Sequence, residues 1–232
     1  MTKIVILTGA GISAESGLGT FRDEGGLWSQ HRIEDVATPE GFARDPALVQ
    51  RFYNARRVQA ADARPNAAHA ALARLQRDHS GQVVIVTQNV DALHEAGGAS
   101  DVIHMHGELA GALCAACGHR WPAPAEMSVG QPCPSCHNPT ARPDVVWFGE
   151  IPYHMDLILA HLAQADLFAA IGTSGNVYPA AGFVEEALRV GAHTIELNLE
   201  PSAIVSRFEE TRFGPASETV PTWVDEVLGR AD

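Results

Sequence analysis

The sequence predicts an α/β fold built on a doubly wound parallel sheet, and two observations support that prediction. Short runs of β-branched and apolar residues recur along the chain, and they alternate with stretches of helical periodicity. Strands separated by helices require crossover connections, which make the strands parallel and place helices on both faces of the sheet. We therefore expect a Rossmann-like architecture.

The predicted elements follow one another in a regular order. The runs with the length and composition of buried strands are Ile4 to Leu7, Val83 to Val86, Val102 to His104, Leu167 to Ile171 and Thr194 to Leu197. The stretches with helical periodicity are Asn66 to Arg77, His154 to Gln164, Ala180 to Val190 and Thr222 to Leu228. Together they form one α/β domain that is interrupted twice.

Both interruptions are interpreted as inserts. Residues from about 23 to 63 combine loop and helix signals, while residues 111–143 are rich in proline, cysteine and small polar residues. We expect a discontinuous sheet domain (residues 1–25, 64–110 and 144–232), a helical insert (26–63) and a smaller metal-stapled insert (111–143). Inserts packed on a main domain commonly border a ligand cleft.

Composition excludes several classes of function. The 232 residues carry a formal net charge of -12, and Lys3 is the only lysine. An acidic surface argues against nucleic-acid or anionic-membrane binding through a broad basic face. No apolar run reaches transmembrane length, and no signal-peptide pattern precedes the first strand. We expect a cytoplasmic protein.

Polar segments directly follow the predicted strands. In chain order they read TGAGISAESG, TQNVD, MHGE, GTSGN and NLE. Ligands of open α/β sheets bind outside the carboxyl ends of the strands, so these segments should converge on one site.

The segment GAGISA, Gly9 to Ala14, matches the G-x-G-x-x-A pattern directly after a predicted strand. Glycine at positions 9 and 11 allows a tight turn and a close approach of the backbone to a pyrophosphate. The alternative is a glycine-rich turn without a ligand. The strand before it and the other polar segments favour a dinucleotide site.

The ribose of a bound dinucleotide usually contacts an acidic residue about twenty positions later. Glu34 and Asp35 follow no obvious second strand. Asn198 and Glu200, after the last predicted strand, are better candidates for that contact.

Cys114, Cys117, Cys133 and Cys136 form two CxxC pairs. Two such pairs can close around one tetrahedral zinc ion, and four thiolates leave no open coordination position, so the metal is structural. The alternative is that CPSCH, Cys133 to His137, attaches a c-type haem. The missing signal peptide and the second CxxC pair favour zinc.

Candidate polar residues follow the second and third predicted strands. Gln88, Asn89 and Asp91 suit recognition of a carboxamide, although Asn89 and Asp91 could instead cap the next helix. His104 and His106 lie at or just beyond the third predicted strand, where strand alternation places both on the same face. His106, beside a glycine at the strand's carboxyl end, is the chosen general base.

The segment RPDVVWFGE, Arg142 to Glu150, is predicted to be extended. An exposed edge there could pair with a peptide by strand addition, with Val177 on the opposite wall. The simpler alternative, a return strand into the core, is somewhat favoured by physical arguments alone.

Taken together, GAGISAESGLGTFR, TQNVDALH, HMHGE, the CxxC pairs, RPDVVWFGE, GTSGNVYPA and NLE resemble the sirtuins, which are NAD-dependent protein-lysine deacylases. FYNARR and YPAAGF are most similar to the bacterial CobB-type, class III branch. The resemblance extends from about Ile4 to Trp223.

The resemblance implies NAD as co-substrate, one structural Zn²⁺ and a discontinuous NAD-binding domain. Phe21 would shield the reactive sugar carbon, Arg22 would lie near the phosphates and Asp91 would read the carboxamide. The implied cofactor-binding residues are Gly9, Ala10, Gly11, Ala14, Glu15, Thr20, Phe21, Arg22, Trp28, Gln88, Asn89, Val90, Asp91, Gly172, Thr173, Ser174, Asn198, Leu199, Glu200 and Ala216.

The implied reaction transfers the acyl group of an acyl-lysine to ADP-ribose, with release of nicotinamide. His106 would act as general base, and Gln88, Asn89 and Asp91 would complete the catalytic set. Peptide contacts are expected from Val146, Phe148, Gly149, Glu150 and Val177. The implied partners are acylated-lysine proteins or peptides, without nucleic acid or membrane, and the protein is expected to be a monomer.

Tyr53 and Arg56, in FYNARR, have two interpretations. They could occupy a solvated helix face, as such i, i+3 pairs commonly do. In class III sirtuins the same pair binds the distal carboxylate of an acidic acyl group, which suits a guanidinium and a phenol. Ala14 would then leave room for the longer acyl chain.

Three other functions compete with a deacylase. A protein ADP-ribosyltransferase would use the same NAD site, and a zinc-ribbon interaction module would use no NAD. A dehydrogenase is the alternative suggested by the fold alone, and the missing acidic residue after a second strand argues against it.

Overall fold

The computed structural model describes residues 2–19 and 31–229. The chain divides into two compact units. The larger unit comprises Met1–Leu18, Arg64–Met105 and His154–Asp232, and the smaller comprises Gly19–Ala63 and His106–Tyr153. Within the described residues, no helix has both the length and the apolar character that crossing a membrane requires.

Nine strands and nine α-helices lie within residues 2–19 and 31–229. The strands are β1 (Lys3–Thr8), β2 (Gln82–Thr87), β3 (Ile103–His104), β4 (Gly107–Cys114), β5 (Arg120–Pro122), β6 (Ala141–Val145), β7 (Leu167–Ile171), β8 (His193–Asn198) and β9 (Glu210–Phe213). The helices are α1 (Gly11–Ala14), α2 (Ile33–Val36), α3 (Pro39–Arg44), α4 (Pro46–Asp62), α5 (Ala67–Asp78), α6 (Leu93–Ala96), α7 (Met155–Leu162), α8 (Phe183–Arg189) and α9 (Ala216–Gly229).

The larger unit is built on a six-stranded parallel sheet in the order β3-β2-β1-β7-β8-β9. The doubly wound prediction is confirmed by the two sides of β1. Ile4 and Ile6 pack with α5 and α9 on one face, whereas Val5 and Leu7 pack with α7 and α8 on the other. Successive side chains of a strand point to opposite faces, so one apolar run serves two cores.

The sheet has a sixth strand, β9, that the sequence did not predict. The predicted last strand, β8, is therefore followed by one more. β9 is a short edge strand of sequence ETRF, with charged side chains in place of an apolar run. Arg212 in β9 pairs with Glu210 and with Glu226 of α9. Edge strands commonly carry such charges, which discourage pairing with a second chain.

The smaller unit contains a three-stranded antiparallel sheet in the order β5-β4-β6, which the sequence analysis did not predict. Because β4 pairs with β6, residues 106–110 and 144–153 group with this sheet, whereas the predicted boundaries place them in the main domain.

Helix α4 is held to the region between these strands by side-chain amides. The side chain of Asn54 bonds both the backbone oxygen and the backbone nitrogen of Met127, each at 2.9 Å. Gln50 donates to the carbonyl of Ala141 at 3.2 Å. The helical segment and the cysteine-rich segment therefore belong to one unit.

Candidate active site

The carboxyl ends of β1 and β7 lie at the point where the strand order reverses. The sheet continues through β2 and β3 on one side and through β8 and β9 on the other. Ligands of doubly wound sheets bind at such a switch point. The loop after β1 and the turn after β7 meet there, since Gly9 N donates to Ile171 O at 3.0 Å and Gly11 N to Gly172 O at 2.8 Å.

The glycines of this loop and turn pack backbone against backbone. A Cβ atom at Gly9 would lie 2.8 Å from Gly172 O, and one at Gly11 would lie 2.7 Å from Gly172 Cα. Gly172 itself has a φ of 61°, in the left-handed region. Close approach of the two turns to each other requires these glycines, a reason beyond the tight turn and the ligand contact that the sequence suggested.

Asn89 and Asp91 hold the glycine loop in place. The Asn89 amide donates to Gly9 O at 3.1 Å and to Ser13 Oγ at 3.2 Å. One oxygen of Asp91 accepts from Ser13 Oγ at 3.2 Å, and the other accepts from Leu93 N at 3.0 Å. Asp91 therefore also binds the first residue of α6, although the N-cap position itself is occupied by Ala92.

Ser13, Asn66 and His69 extend this network, and sequence reasoning missed all three. The Asn66 amide donates to Ile12 O at 2.8 Å and to Ser16 Oγ at 3.1 Å. His69 Nε2 lies 3.5 Å from Ser13 Oγ. Asn66 precedes α5 and forms a reciprocal capping box with His69, and this i, i+3 pair was the available signal.

A second buried histidine, His94, lies beside this network. Its Nε2 lies 2.9 Å from Thr8 Oγ1, and Thr8 Oγ1 donates to Thr87 Oγ1 at 2.8 Å. The rings of His69 and His94 contact each other edge to face, with centroids 5.1 Å apart.

Both buried histidines are held neutral. Burial lowers the pKa of His69 to about 4, partly opposed by the charge of Glu95. Burial, and then the neighbouring His69, lowers the pKa of His94 to about 3. Removing an imidazolium from water is costly, so the neutral ring is favoured at neutral pH. These rings can therefore form hydrogen bonds with the hydroxyl groups of Thr8 and Ser13 without adding positive charge next to the Gly9 loop.

The adenosine side of the predicted site is organised around Thr173. Gln88 Nε2 donates to Thr173 Oγ1 at 3.0 Å, and Asn198 Nδ2 donates to Thr173 O at 2.7 Å. Asn198 also donates to buried Glu196 at 3.1 Å, and Glu196 accepts from Ser202 N at 3.0 Å. The polar ends of β2, β7 and β8 thus converge, as their placement after the strands predicted.

The remaining candidates of the larger unit differ in exposure. Glu15 accepts from Ser217 N at 2.9 Å and Ser217 Oγ at 2.7 Å, and so caps α9 beside Ala216. The exposed candidates are Ala14, Leu199 and Glu200, the partly buried ones are Ala10, Ser174, Val177 and Ala216, and Val90 is buried. Thr20, Phe21, Arg22 and Trp28 lie outside the described residues.

The two histidines of HMHGE have different environments. β3 ends at His104, so the expected sharing of one strand face was wrong: His106 lies in the turn that follows. His104 is buried, with Nε2 2.8 Å from Glu95 Oε1 and Nδ1 3.2 Å from Asn89 O. His106 is half-buried, and its carbonyl accepts from Val146 N at 2.8 Å. The side chain of His104 is thus held by contacts within the larger unit.

The four cysteines form a metal-binding geometry in the smaller unit. Their sulfur atoms all lie within 4.8 Å of one another, with Cys114 and Cys136 3.6 Å apart and Cys117 and Cys133 3.8 Å apart. None of the four forms a disulfide. Tetrahedral zinc with Zn–S bonds of about 2.3 Å requires sulfurs about 3.8 Å apart. Cys114, Cys117, Cys133 and Cys136 therefore fit one structural zinc ion.

Tyr53 does not lie on a solvated helix face, since it is only 1% exposed within the smaller unit. Its hydroxyl oxygen accepts a hydrogen bond from Trp147 Nε1 at 2.9 Å. Burial raises the pKa of Tyr53 to about 12, although the charge of Arg56 opposes that shift. The phenol is therefore protonated at neutral pH. Arg56, one turn later on α4, is half-buried.

The segment after β6 is bound back onto that strand. All five residues of β6 are buried, so the core-strand alternative holds up to Val145. Arg142 pairs with both oxygens of Glu150, at 2.6 and 2.9 Å, and Trp147 N donates to Glu150 at 2.8 Å. Phe148 and Gly149 are exposed, and Val146 is half-buried.

These bonds determine the charge of Glu150. Burial raises the pKa of its carboxyl group, but the hydrogen bonds from Arg142 and from Trp147 N outweigh burial, and the pKa lies below its usual range. Glu150 is thus a carboxylate whose two oxygens are already used inside the protein.

Comparisons with known proteins show the family to which the chain is similar. The Sir2 family model matches residues 9–179. An NAD-dependent protein deacylase of Vibrio parahaemolyticus is 58% identical over 229 residues, covering 97% of this chain and 95% of the relative. One of Caulobacter vibrioides is 56% identical over 232 residues, covering 98% of each chain.

Solved structures give the same result. A mutant Sir2 homologue in complex with ADP-ribose superposes with a TM-score of 0.91 at 36% identity, covering 98% of this chain and 92% of the other. A Sir2 homologue in complex with NAD superposes with a TM-score of 0.91 at 35% identity, covering 99% and 91%.

Proposed function

Because this chain belongs to the Sir2 family, we propose that it is an NAD-dependent protein-lysine deacylase that removes acetyl, succinyl and malonyl groups. One acyl-lysine, one NAD and one water yield lysine, nicotinamide and O-acyl-ADP-ribose, so the atoms balance. The observation that supports this proposal most directly is the network in which Asn89, Asp91 and Ser13 hold the Gly9 loop at the switch point.

The residues fit NAD by their chemistry. Amide, hydroxyl and carboxylate groups line the carboxyl ends of β1, β2, β7 and β8, and they match a carboxamide, ribose hydroxyls and an adenosine. When bound, NAD supplies the ADP-ribosyl group that receives the acyl group. We assign Gln88, Asn89, Val90 and Asp91 to the nicotinamide half. The assignment for the adenosine half is Gly172, Thr173, Ser174, Asn198, Leu199, Glu200 and Ala216.

We assign the general base to His106. It would accept the proton of the ribose 2'-hydroxyl as that oxygen attacks the acyl carbon, a role that an imidazole nitrogen can fill. Its place in the turn directly beyond the carboxyl end of β3 supports this choice. Val146, Phe148 and Gly149 are assigned to contacts with the acylated peptide, and Val177 is a further candidate.

Tyr53 and Arg56 are assigned to bind the distal carboxylate of an acidic acyl group. A guanidinium binds a carboxylate through charged hydrogen bonds, and a protonated phenol adds a neutral donor. The raised pKa of Tyr53 supports its role as a donor. An acetyl group has no distal carboxylate, so it gains nothing from this pair.

The test is the substitution Arg56→Met, which keeps the length of the side chain and removes its charge. We expect kcat/KM for succinyl-lysine peptide to fall about a hundredfold, the effect of roughly 3 kcal/mol from charged hydrogen bonds, with deacetylation changed much less. Arg51→Met, at an exposed position of the same helix, is the matched control. Equal losses of both activities would identify Arg56 as structural.

Product analysis separates this function from its alternative. Mass spectrometry of a reaction with acyl-peptide and NAD should detect O-acyl-ADP-ribose. ADP-ribose attached to a protein side chain would instead indicate an ADP-ribosyltransferase.

We further propose that the enzyme is a cytoplasmic monomer that binds no nucleic acid, which the net charge of -12 supports. In this proposal the discontinuous domain binds NAD, the helical insert (26–63) contributes to substrate binding, and the other insert (111–143) holds the zinc ion.

A further inference from the structure

Trp147 is the partner that fixes the hydroxyl group of Tyr53. We propose that Trp147 is a positioning residue for acyl specificity: its indole N–H directs the Tyr53 hydroxyl proton toward the carboxylate of an acidic acyl group. This inference rests on the proposed function and deepens it, since it names what makes the phenol a directed donor.

The direction of the hydrogen bond carries the argument. An indole nitrogen can only donate, so in the 2.9 Å bond from Trp147 Nε1 the phenol oxygen of Tyr53 must be the acceptor. The phenol has one proton, and that proton must then be donated elsewhere. A phenol that is fixed as a donor favours an anionic acceptor and offers nothing to an alkyl group.

The surroundings keep both side chains in this orientation. Tyr53 and Trp147 are 1% and 2% exposed. The guanidinium of Arg142 lies 3.5 Å from the Trp147 ring centroid, and Phe42 packs against the same indole at 5.2 Å. A cation over an aromatic face is held by the quadrupole of the ring. The indole is therefore clamped before any substrate arrives.

Glu150 locks the other end of this arrangement. Its carboxylate accepts hydrogen bonds from the guanidinium of Arg142 and from the backbone nitrogen of Trp147. Glu150 therefore fixes both the cation that packs on the indole and the backbone of Trp147 itself. We accordingly infer that Glu150, expected from the resemblance to contact the peptide, acts through Trp147.

The substitution Trp147→Phe separates hydrogen bonding from packing, because it keeps an aromatic ring and deletes only the donor and the second ring. We expect kcat/KM for succinyl-lysine peptide to fall about fivefold more than for acetyl-lysine peptide, the effect of one neutral hydrogen bond. Most of the change should appear in KM. Trp121→Phe, on β5 of the same unit, is the matched control and should leave the ratio of the two activities unchanged.

A double-mutant cycle tests whether Trp147 acts through Tyr53. In a Tyr53→Phe background the further change Trp147→Phe should have no selective effect on succinyl-lysine, because no hydroxyl remains to be directed. A selective effect that persists without the hydroxyl would overturn the inference, and so would equal losses on both substrates. Absence of desuccinylation in the wild type would instead refute the acidic-acyl part of the proposed function.

A measurement on the wild-type protein covers the case in which Trp147→Phe does not fold. The sequence has four tryptophans, so four indole N–H resonances are expected in a ¹⁵N spectrum. One of them should shift on addition of succinyl-lysine peptide, much less with acetyl-lysine peptide, and should also shift in Tyr53→Phe. If none of the indole resonances distinguishes the two peptides, Trp147 is not coupled to the acyl group.

Discussion

Gly172 shows how little space the two turns at the switch point leave. Its φ of 61° is a conformation that L side chains rarely adopt, and a Cβ there would collide with the backbone nitrogen of Ile12 and with Gly11. Gly191 also has a positive φ, 78°, but a Cβ on it would meet nothing within 4 Å. The two positions therefore separate backbone strain from steric collision.

We predict that Gly172→Ala lowers the free energy of unfolding by about 3 kcal/mol or more, because strain and overpacking add. Gly191→Ala should cost only about 1 kcal/mol, the strain alone. Urea unfolding of both variants checks this, and NAD affinity should fall only in Gly172→Ala. Similar losses of stability in the two variants would show that the contact with Ile12 and Gly11 can relax.

Residue-level prediction from sequence succeeded where the residue type dictated the chemistry. Four cysteines in two CxxC pairs have few other uses, and their sulfurs lie at zinc-binding distances. It failed where the neighbour lies far away in the chain. The residues around Tyr53 do not predict its contact with Trp147, and those around Ser13 do not predict its contact with His69. Such contacts depend on how distant segments pack.

At the scale of elements, five of the six parallel strands were predicted, whereas the antiparallel sheet was not. Strands buried on both faces are continuous apolar runs, as β1, β2 and β7 are. β6, by contrast, has the sequence ARPDV and is nevertheless fully buried, because Arg142 is paired with Glu150 and Asp144 with Arg120. The sequence predicted an extended segment from Arg142 but not its pairing with β4, because its charges are neutralised by residues elsewhere in the chain.

The zinc site should stabilise the small sheet selectively. Cys114 ends β4, and the other three cysteines lie in the turns before β5 and β6, so one ion would tie those turns together. We predict that chelation lowers the protection free energy of amides in β4, β5 and β6 by more than about 2 kcal/mol, because metal binding is coupled to local folding.

Hydrogen exchange with and without a chelator measures this effect. The amides of β1 and β2, in the larger unit, are the internal control and should keep their protection. Cys133→Ser should reproduce the effect of chelation without a chelator. Unchanged exchange in β4 to β6 after verified removal of zinc would mean that the sheet is stable without the ion.

At the scale of the whole molecule, the buried histidines link stability to pH. The pKa of His69 is about 4 in the folded protein and 6.5 in an unfolded chain. Between these values the unfolded chain binds more protons, so the free energy of unfolding falls as pH falls. From about pH 6.5 to about pH 5, His69 alone should cost roughly 2 kcal/mol, and His94 changes stability in the same direction.

Denaturant unfolding at several pH values tests this prediction. The carboxylates with lowered pKa, such as Glu95 and Glu150, lose their stabilising contribution below about pH 4.5. Above that pH, the change of the free energy of unfolding with pH is therefore due to the histidines. His69→Gln should flatten the slope there, whereas exposed His119→Gln should not. An unchanged slope in His69→Gln would contradict a neutral His69.

The overall architecture was the most predictable level. Alternation of strand and helix patterns determined the parallel sheet, and the rule that ligands bind beyond the carboxyl ends of strands brought together segments far apart in the sequence. The grouping of the two inserts into one unit was not predictable, because it depends on side-chain bonds such as those between Asn54 and Met127.

Lys3 begins β1 at the end of the strand opposite the Gly9 loop, and its backbone nitrogen donates to Asp166 at 2.7 Å. As the only lysine, it gives a lysine deacylase a single side-chain amine of its own to be acylated by reactive metabolites. Antibodies or mass spectra that report acyl-lysine in an assay mixture will therefore register the added substrate almost alone. Amine-directed immobilisation would likewise attach the enzyme at a point remote from its cofactor loop.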